Sequence, residues 1–326
     1  MQNVSKISRA EVMNHLDKEI QEAILQYLKP IDDIWQPADL LPQSDRDDFF
    51  DQVKELKARA ATLSYDLVAV LIGDTITEEA LPTYESWLMQ VKGPKDDPEG
   101  GWHQWVRNWT AEENRHGDVL NTYLYLSGRV NMRQLQISTQ YLLADGFDIG
   151  TAHDPYRNFV YTSFQEMATN LSHRRVAQFA KKAGDEQLAK ICGHVASDEM
   201  RHANAYKSFV SKILLIDPSE MMVAFEDMMR KKIVMPAHFL REMGMAKGET
   251  FAHFSEAAQR IGVYTALDYV AILKVLLKEW KIDSLTNLNE AGEKARDYLM
   301  KLPDRLFRLA ERINPKPSSY KFSWIV

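Results

Sequence analysis

The sequence predicts an all-α protein in which four long helices form a bundle within one domain. Apolar residues recur every three or four positions over residues 8–28, 102–127 and 186–214, a spacing typical of helices with one buried face. A five-residue pattern, acid-Glu-x-Arg-His, occurs at residues 112–116 and again at residues 198–202. A further glutamate precedes each copy by about one helical hairpin, so the pattern indicates two similar helix pairs related by a pseudo-twofold axis.

Length and composition favour a single domain over residues 1–326, with the core bundle at about residues 64–214. Of the 326 residues, 45% are hydrophobic, which is enough to bury a large core. No long linker rich in Gly, Ser or Pro divides the chain. The two copies of the repeated pattern also have to meet if they form one site, which argues against a domain boundary between them.

Charge, cysteine content and hydropathy exclude several classes of protein. A formal charge of −6 gives no overall attraction to nucleic acid. Cys192 is the only cysteine, so the sequence predicts neither a disulfide framework nor a thiolate metal cage, and it fits a reducing compartment. No apolar run approaches the roughly 20 residues of a membrane-spanning helix. We therefore expect a soluble protein of the bacterial cytoplasm without nucleic-acid or membrane partners; the alternative is an organelle protein from which a transit peptide has been removed.

The repeated pattern brings carboxylates and imidazoles together. Residues three apart in a helix point to the same side, so Glu113 converges with His116 in the first copy. Glu199 converges with His202 in the second copy in the same way. One Glu-x-x-His is common by chance, but two copies with the same flanking residues indicate a shared role.

The two single glutamates complete a set of six potential metal ligands. Glu78 lies 35 residues before the glutamate of the first copy (113 − 78), and Glu166 lies 33 residues before that of the second (199 − 166). Each is in an amphipathic segment of its own, as in bundles that bind two metals. The predicted metal ligands are Glu78, Glu113, His116, Glu166, Glu199 and His202.

The chemistry of these six side chains predicts two metal ions per chain in a ferritin-like bundle. Four carboxylates and two neutral imidazoles supply hard oxygen and borderline nitrogen donors, and their charge of about −4 offsets two divalent cations. Oxygen-rich dinuclear sites in helical bundles suit iron or manganese better than zinc. Glu112, Arg115, Asp198 and Arg201 are expected to orient the two imidazoles, and a surface position is the alternative for Asp198.

Further residues near these ligands leave alternatives. Thr169 shares a helix face with Glu166, and it either relays protons at the metals or bonds a backbone carbonyl one turn back. Pro82 either kinks the helix at Glu78 or begins a new helix. His173, like the other histidines outside the repeated pattern, has no partner at ligand spacing, so we expect it to be structural. Residues 217–326 carry no pattern typical of catalysis.

The motifs resemble those of the plant-type soluble acyl-carrier-protein desaturases. The resemblance runs through GDTITEEALPTY at residues 73–84, WTAEENRHGD at 109–118, YTSFQE at 161–166 and DEMRH at 198–202. It extends to WQP at 35–37, MMRKK at 228–232, GVYTA at 262–266 and FSWI at 322–325, and so covers nearly the whole chain. It implies the family's helical bundle, a homodimer, and two iron ions bound by the six ligands predicted above.

The resemblance also implies an activity. The family introduces a cis double bond into a saturated fatty acyl chain carried on acyl carrier protein, with dioxygen and electrons from a ferredoxin-type donor. It makes Thr169 the active-site threonine, and we expect the acyl chain to lie in an apolar tunnel beside the ligand helices. The sequence departs from the family in a shorter loop at residues 93–101, in Ala203, and at residues 241–250. These differences bear on chain length, double-bond position and carrier contacts.

Two other functions and three docking surfaces stay open at this point. One alternative is a ferritin-like iron-binding protein without turnover. The other is a diiron or dimanganese oxidase, which would need a tyrosine such as Tyr84 or Tyr206 beside the metals.

A protein of charge −6 must bind an acidic carrier through a local basic surface. The candidates are Arg174-Arg175, Lys181-Lys182 and Arg230-Lys231-Lys232, of which the third is preferred because it lies in a family-matching motif.

Overall fold

The computed structural model describes residues 7–94, 97–314 and 317–326, and these form an all-α protein, as predicted. Within these ranges there is no β-strand, only an isolated antiparallel bridge between Val130 and Ile325. The α-helices are α1 (Arg9–Tyr27), α2 (Pro37–Leu40), α3 (Phe49–Ala60), α4 (Tyr65–Glu78), α5 (Leu81–Met89), α6 (Gly101–Ser127), α7 (Met132–Asp145), α8 (Pro155–Lys182), α9 (Glu186–Ile216), α10 (Pro218–Lys231), α11 (Glu249–Ile261), α12 (Ala266–Glu279) and α13 (Glu290–Ala310). Short 3₁₀ turns lie at Ile31–Asp33, Pro236–Phe239 and Ile282–Ser284.

Several helices begin where the sequence supplies a capping side chain. Ser8, Asn131, Asp154, Asp185 and Thr265 each accept a hydrogen bond from a backbone N–H in the first turn of the helix that follows. Such a cap satisfies one of the four N–H groups that have no partner at a helix start. The two caps at positions 154 and 185 set the starts of α8 and α9, the helices that carry the second half of the repeated pattern.

Pro82 begins a new helix instead of kinking a continuous one. Helix α4 ends at Glu78, and Pro82 occupies the first turn of α5. A proline is tolerated there because the N–H that it lacks would have no helical partner in a first turn. The reading of Pro82 as a helix start is therefore confirmed, and the reading of a kink within one helix is wrong. Glu78 consequently stands at the end of its helix.

Helices α4, α6, α8 and α9 form the bundle that carries the predicted ligands. Helices α8 and α9 pack against each other more extensively than any other pair, while α4 packs on α6 and α8, and α6 packs on α9. Large aromatic side chains fill the interior, among them Trp102, Trp105, Trp109, Phe159 and Phe164. This close packing brings side chains from all four helices to one point.

The helices that follow α9 form a second layer over this bundle. Helices α10 and α12 pack on α8, α11 packs on α4, and α13 packs on α10 and α12. Helix α1 lies against α6 and α9. The buried apolar residues of these outer helices join those of the bundle in one contiguous core. Residues 217–326 therefore cover α4 and α8 instead of forming a separate unit.

Helix α4 is the most apolar helix of the chain, and it is buried. Its residues 67–73 are all buried. In the parts of the chain that the structure describes, no single helix is long and apolar enough to cross a membrane. Phe49–Ala60 and Tyr65–Met89 reach the necessary length and composition only when taken together, and they are bent by 118° at the break between them.

Candidate metal centre

All six predicted ligands come together inside the bundle, from four different helices. Helix α4 contributes its last residue, α6 and α9 each contribute a Glu-x-x-His pair, and α8 contributes one glutamate. Ligand atoms of these residues form two overlapping groups, and within each group all atoms lie within 4.8 Å of one another. The two groups are Glu78, Glu113, His116 and Glu199, and Glu113, Glu166, Glu199 and His202.

The first group surrounds the imidazole of His116. Its Nδ1 lies 3.2 Å from Glu113 Oε2, 3.2 Å from Glu199 Oε1 and 3.8 Å from Glu78 Oε2. The imidazole is completely buried, and Glu113 and Glu199 are nearly so. Three carboxylate oxygens and one nitrogen therefore point at a common space large enough for a cation.

The second group surrounds the imidazole of His202. Its Nδ1 lies 2.5 Å from Glu113 Oε1 and 3.8 Å from Glu166 Oε2. Glu113 turns one oxygen toward each imidazole, and it belongs with Glu199 to both groups. Glu113 and Glu199 would therefore take part in holding metal at either group.

Each imidazole is oriented by a carboxylate from the opposite helix. His116 on α6 has Nε2 at 3.5 Å from Asp198 Oδ2 on α9, and His202 on α9 has Nε2 at 3.0 Å from Glu112 Oε2 on α6. A carboxylate at Nε2 fixes the tautomer that carries its proton there and leaves the Nδ1 lone pair for a metal. Asp198 is 1% exposed, so the alternative of a surface position is wrong.

The two arginines of the repeated pattern, which were expected to orient the imidazoles, bind the two orienting carboxylates. Arg115 donates to Asp198 at 2.9 Å, and Arg201 donates to Asp198 at 2.6 Å and to Glu112 at 2.7 Å. Burial alone would raise the pKa of Glu112, but its bonds with His202 and Arg201 lower it to about 2. Both carboxylates thus stay ionised beside the imidazoles.

Trp35 is a part of this network that the sequence analysis did not find. Its indole N–H donates to Asp198 at 2.9 Å, and its ring stacks on that of His116 with centroids 6.2 Å apart and planes 7° from parallel. Its carbonyl accepts from Arg115 at 2.7 Å. The only signal in the sequence was the family-matching WQP motif, which gives no side-chain role.

The ionisation of the six residues reflects many carboxylates in a small buried space. Burial, reinforced by neighbouring carboxylates, raises the pKa of Glu166 well above its ordinary value, and burial raises the pKa of Glu78 to about 7. Burial opposes ionisation of Glu113, yet the charges of His116 and His202 lower its pKa to about 2. The same contacts raise the pKa of both imidazoles despite their burial. Protons therefore balance the carboxylates when no cation is bound, and metal binding would displace them.

The unpaired atoms of the site fit a pair of metal ions. Both oxygens of Glu166 are buried without a hydrogen-bond partner among the described residues, and Nδ1 of His116 and of His202 faces only the predicted ligand carboxylates. Such atoms are costly to bury unless something else satisfies them. Carboxylate oxygens with imidazole nitrogens in a bundle are the donor set of dinuclear iron and manganese sites. The residues present therefore suit such a centre.

Thr169 lies where both of its predicted roles are geometrically open. Its hydroxyl donates to Glu199 Oε2 at 2.5 Å and also lies within 3.2 Å of the carbonyl oxygens of Gln165 and Glu166. The contact with Glu199 crosses from α8 to α9, so it is not explained by a local backbone bond. Thr169 also lines the large cavity beside the site. Its hydroxyl thus connects a ligand carboxylate with the cavity.

His173 has a partner that the sequence analysis did not find. Its Nε2 lies 2.9 Å from Glu78 Oε1, and the residue is 1% exposed. The sequence carried one unused signal, because His173 follows Glu166 by seven residues (173 − 166) and therefore lies on the same face of α8, two turns away. Its partner is on α4, so no spacing within one helix reveals the contact.

A cavity of about 660 Å³ opens beside the cluster, in agreement with the expected apolar tunnel. Glu78, Glu113, Thr169 and Glu199 are among the residues that line it. Most of the remaining wall is apolar and comes from the second layer, where Met229, Ile233, Val270, Leu306, Leu309 and Ile313 contribute. Residues 217–326 thus contain no catalytic pattern but provide much of the cavity, which sequence reasoning missed.

Neither of the two tyrosines considered for a radical role is bonded to a ligand carboxylate in the described parts of the chain. The hydroxyl of Tyr84 lies 2.8 Å from that of Tyr161, which in turn donates to the carbonyl of Val234. The hydroxyl of Tyr206 accepts from Trp105 Nε1 at 3.2 Å. Both phenols are held in packing contacts within the core.

The sequence matches one protein family over almost its whole length. Residues 8–326 match the family described as fatty acid desaturase. The chain is 49% identical over 323 residues to the chloroplastic stearoyl-[acyl-carrier-protein] 9-desaturase of Ricinus communis, and the match covers 97% of this chain and 81% of that protein. It is 48% identical over 323 residues to the chloroplastic acyl-[acyl-carrier-protein] desaturase of Cucumis sativus, with 97% and 81% covered.

Comparison of structures gives the same fold. The chain is similar to the X-ray structure of the putative acyl-ACP desaturase DesA2 from Mycobacterium tuberculosis, with a TM-score of 0.55. The similarity covers 87% of this chain and 98% of that one, at 16% sequence identity. At this identity the likeness concerns the fold alone.

Proposed function

Because this chain belongs to the acyl-[acyl-carrier-protein] desaturase family and is an enzyme of that kind, we propose that it introduces a cis double bond into a saturated fatty acyl chain at the six-residue cluster. Acyl carrier protein brings the acyl chain. The observation that carries this proposal is the juxtaposition of the buried Glu/His cluster with a largely apolar cavity of about 660 Å³. Such a cavity can hold an extended alkyl chain with two neighbouring methylenes beside the cluster.

The proposed cofactor is a pair of iron ions held by Glu78, Glu113, His116, Glu166, Glu199 and His202. Iron, when bound, would supply the activation of dioxygen that an unactivated C–H bond requires. The shared carboxylates and the inward-facing Nδ1 atoms support this set. Manganese has the same preference for these donors, so metal analysis of the purified protein has to distinguish the two.

The protein's own residues would orient the substrate and manage protons. The apolar walls exclude water and restrict the alkyl chain to one path past the cluster. Thr169 Oγ1, at 2.5 Å from Glu199 Oε2, holds a proton between a ligand carboxylate and the cavity. We assign it the role of a proton relay, which passes this proton toward the cavity and takes up one of the two protons that enter from outside, so that the hydroxyl is restored.

Electron balance sets the requirement for a donor. Removal of two hydrogens from the acyl chain yields two electrons, whereas reduction of one O₂ to two waters consumes four. Two electrons and two protons must therefore enter from outside for each double bond, and we propose a ferredoxin-type protein as their source. We further propose a homodimer, and a reducing location in the bacterial cytoplasm or the plastid stroma, which suits the free buried thiol of Cys192.

The acidic carrier is proposed to dock at Arg230-Lys231-Lys232. Lys231 and Lys232 are exposed and line the cavity, whereas the candidates at residues 174–175 and 181–182 do not contribute to its lining. Arg230 pairs with Glu226 and Lys231 with Asp227, while Lys232 makes no ion pair within the described chain. A thioester-linked chain that enters past these lysines would leave its acidic carrier against them.

Charge reversal tests this surface. Lys231→Glu with Lys232→Glu should raise the KM for acyl carrier substrate and flatten its salt dependence, because steering by the local charge is lost. The matched control is Lys181→Glu with Lys182→Glu, which changes the net charge equally on exposed residues away from the cavity. Equal effects of the two double variants, with normal metal content, would move the docking site elsewhere.

Product analysis tests the activity itself. Iron-loaded protein is incubated with carrier protein bearing saturated chains of different lengths, a ferredoxin, its reductase and reductant, and the products are identified by mass spectrometry. We expect a cis-monoenoic chain, with loss of product in Glu199→Ala. Iron uptake without acyl-dependent O₂ consumption would favour a ferritin-like iron-binding protein instead. A tyrosyl radical formed without any unsaturated product would favour the oxidase alternative.

A further inference from the structure

We propose that His173 is a positioning residue that fixes one oxygen of Glu78 and thereby makes the two halves of the metal centre inequivalent. The proposal rests on the proposed metal centre but concerns a difference between its halves that the repeated sequence pattern does not contain. It follows from three observations: a buried contact to Glu78, the lack of a matching contact to Glu166, and the break in the chain after α4.

The contact divides the two oxygens of Glu78 between different tasks. Oε1 lies 2.9 Å from His173 Nε2, while Oε2 lies 3.8 Å from His116 Nδ1 and faces the other ligands. His173 is 1% exposed and projects from the rigid interior of α8. A hydrogen bond from this ring therefore keeps one oxygen turned away from the cluster and the other turned toward it.

Glu166, the counterpart of Glu78 in the repeat, has no such restraint. Neither of its oxygens has a hydrogen-bond partner in the described parts of the chain. Its Oε2 lies 3.8 Å from His202 Nδ1 and Glu166 itself is completely buried. No hydrogen bond therefore fixes the orientation of this carboxylate before a metal would bind.

The break between α4 and α5 explains why the repeat fails here. His173 follows Glu166 by seven residues on an uninterrupted helix. The residue seven positions after Glu78 is Glu85 (78 + 7), which belongs to α5, beyond the end of α4. The first half of the repeat therefore has no counterpart of His173 at the matching position of the same helix. The helix end at Glu78 also makes that carboxylate the one in greater need of an external restraint, because no following turn of α4 supports it.

Two metal-binding steps of different affinity follow from this difference. The Glu78 half presents a pre-positioned oxygen, whereas the Glu166 carboxylate has to be ordered by the metal. Loss of a residue that orients a ligand typically weakens metal binding by roughly 10–100-fold. Removal of the His173 bond should therefore weaken one step by that factor and leave the other unchanged.

The test is an anaerobic titration of metal-free protein with Co²⁺, followed through the ligand-field absorption bands and by calorimetry. Wild-type protein should bind two Co²⁺ in two resolved steps with different spectra. His173→Leu, which keeps bulk but no donor, should lose roughly 10–100-fold in one step only. His173→Gln should restore that step to within a few fold, because its side-chain amide offers an N–H at a similar reach.

Ser172→Ala is the matched control, since Ser172 is adjacent on α8 but donates to Asp74 and not to a predicted ligand. It should leave both steps unchanged. Two equal and independent steps in the wild type would overturn the proposal, and this measurement needs no variant to fold. Equal weakening of both steps in His173→Leu would overturn it too. If the wild-type protein binds two Co²⁺ unequally but desaturates nothing when loaded with iron, the proposed activity is refuted and the positioning role is supported. If it fails to bind two ions, the metal centre itself is refuted.

Discussion

Replacement of Asp198 by Asn tests how the outer network supports the proposed metal centre. Asp198 is buried and accepts hydrogen bonds from Trp35 at 2.9 Å, Arg115 at 2.9 Å and Arg201 at 2.6 Å. It also faces Nε2 of His116 at 3.5 Å. Asparagine keeps the shape but removes the charge, and it turns one of the two acceptor atoms into a donor that meets N–H groups.

The structure allows an estimate of the cost. Two hydrogen bonds to guanidinium groups contribute about 1.5–3 kcal/mol each, and removal of one partner from a buried ion pair typically costs about 3–5 kcal/mol. Arg201 retains its bond to Glu112, so we take the lower end, about 3 kcal/mol. With an unfolding entropy of about 2.1 cal/mol/K per residue over 326 residues, this lowers the Tm by about 4 °C. Because His116 loses its orienting group, metal affinity should also fall by roughly 10–100-fold.

Calorimetric unfolding of metal-free protein and a Co²⁺ titration measure the two effects separately. Asp66→Asn is the control. Asp66 accepts two hydrogen bonds from Arg260, each of 2.8 Å, and neither residue belongs to the cluster. That pair is partly exposed, so its loss should cost no more than about 1 kcal/mol, with metal affinity unchanged. A Tm and a metal affinity for Asp198→Asn both equal to those of the wild type would refute the argument that Asp198 balances the arginines and orients the imidazole.

Three further predictions concern the packing, the pH dependence and the proton path. Gly101→Ala should destabilise the fold by about 1–3 kcal/mol, because the new Cβ would lie 1.9 Å from the backbone oxygen of Asp17 in α1. The control Gly193→Ala should be neutral or stabilising, because no atom lies within 4 Å of its Cβ position. Denaturant unfolding measures both variants. Burial alone would raise the pKa of Asp268, but hydrogen bonds from Arg175 on α8 lower it. The ionised form of Asp268 therefore stabilises the protein above pH 3.8, and this contribution is lost as the pH falls below that value. The Tm of Asp268→Asn should therefore be reduced at pH 7, and the deficit should shrink as the pH falls below 3.8; a deficit that stays the same in acid would contradict this. Thr169→Ala should keep its metal but form less unsaturated product per electron consumed, while Thr169→Ser should retain the coupling; an unchanged ratio in Thr169→Ala would leave only the backbone bond as its role.

Local periodicity accounts for what the sequence predicted well. The helical repeat of 3.6 residues places positions i and i+3 on one side, so Glu113 with His116, and Glu199 with His202, were paired before any tertiary contact was known. Capping residues such as Asp185 likewise marked helix starts from local chemistry alone. The all-α fold and the convergence of six side chains follow from these short-range rules together with the repeated pattern.

Contacts between helices account for what the sequence alone left undecided. The bond from His173 to Glu78 and that from Trp35 to Asp198 join residues 95 and 163 positions apart, and no period relates them. Such contacts depend on the axial offset and rotation of one packed helix relative to another, which the sum of many side-chain contacts determines. The cavity is decided in the same way, because it is the space left between the bundle and the second layer. The sequence by itself therefore determined the helices and the kinds of ligand that they carry, whereas only tertiary packing decided which carboxylate orients which imidazole, which glutamate is restrained, and where an acyl chain would lie.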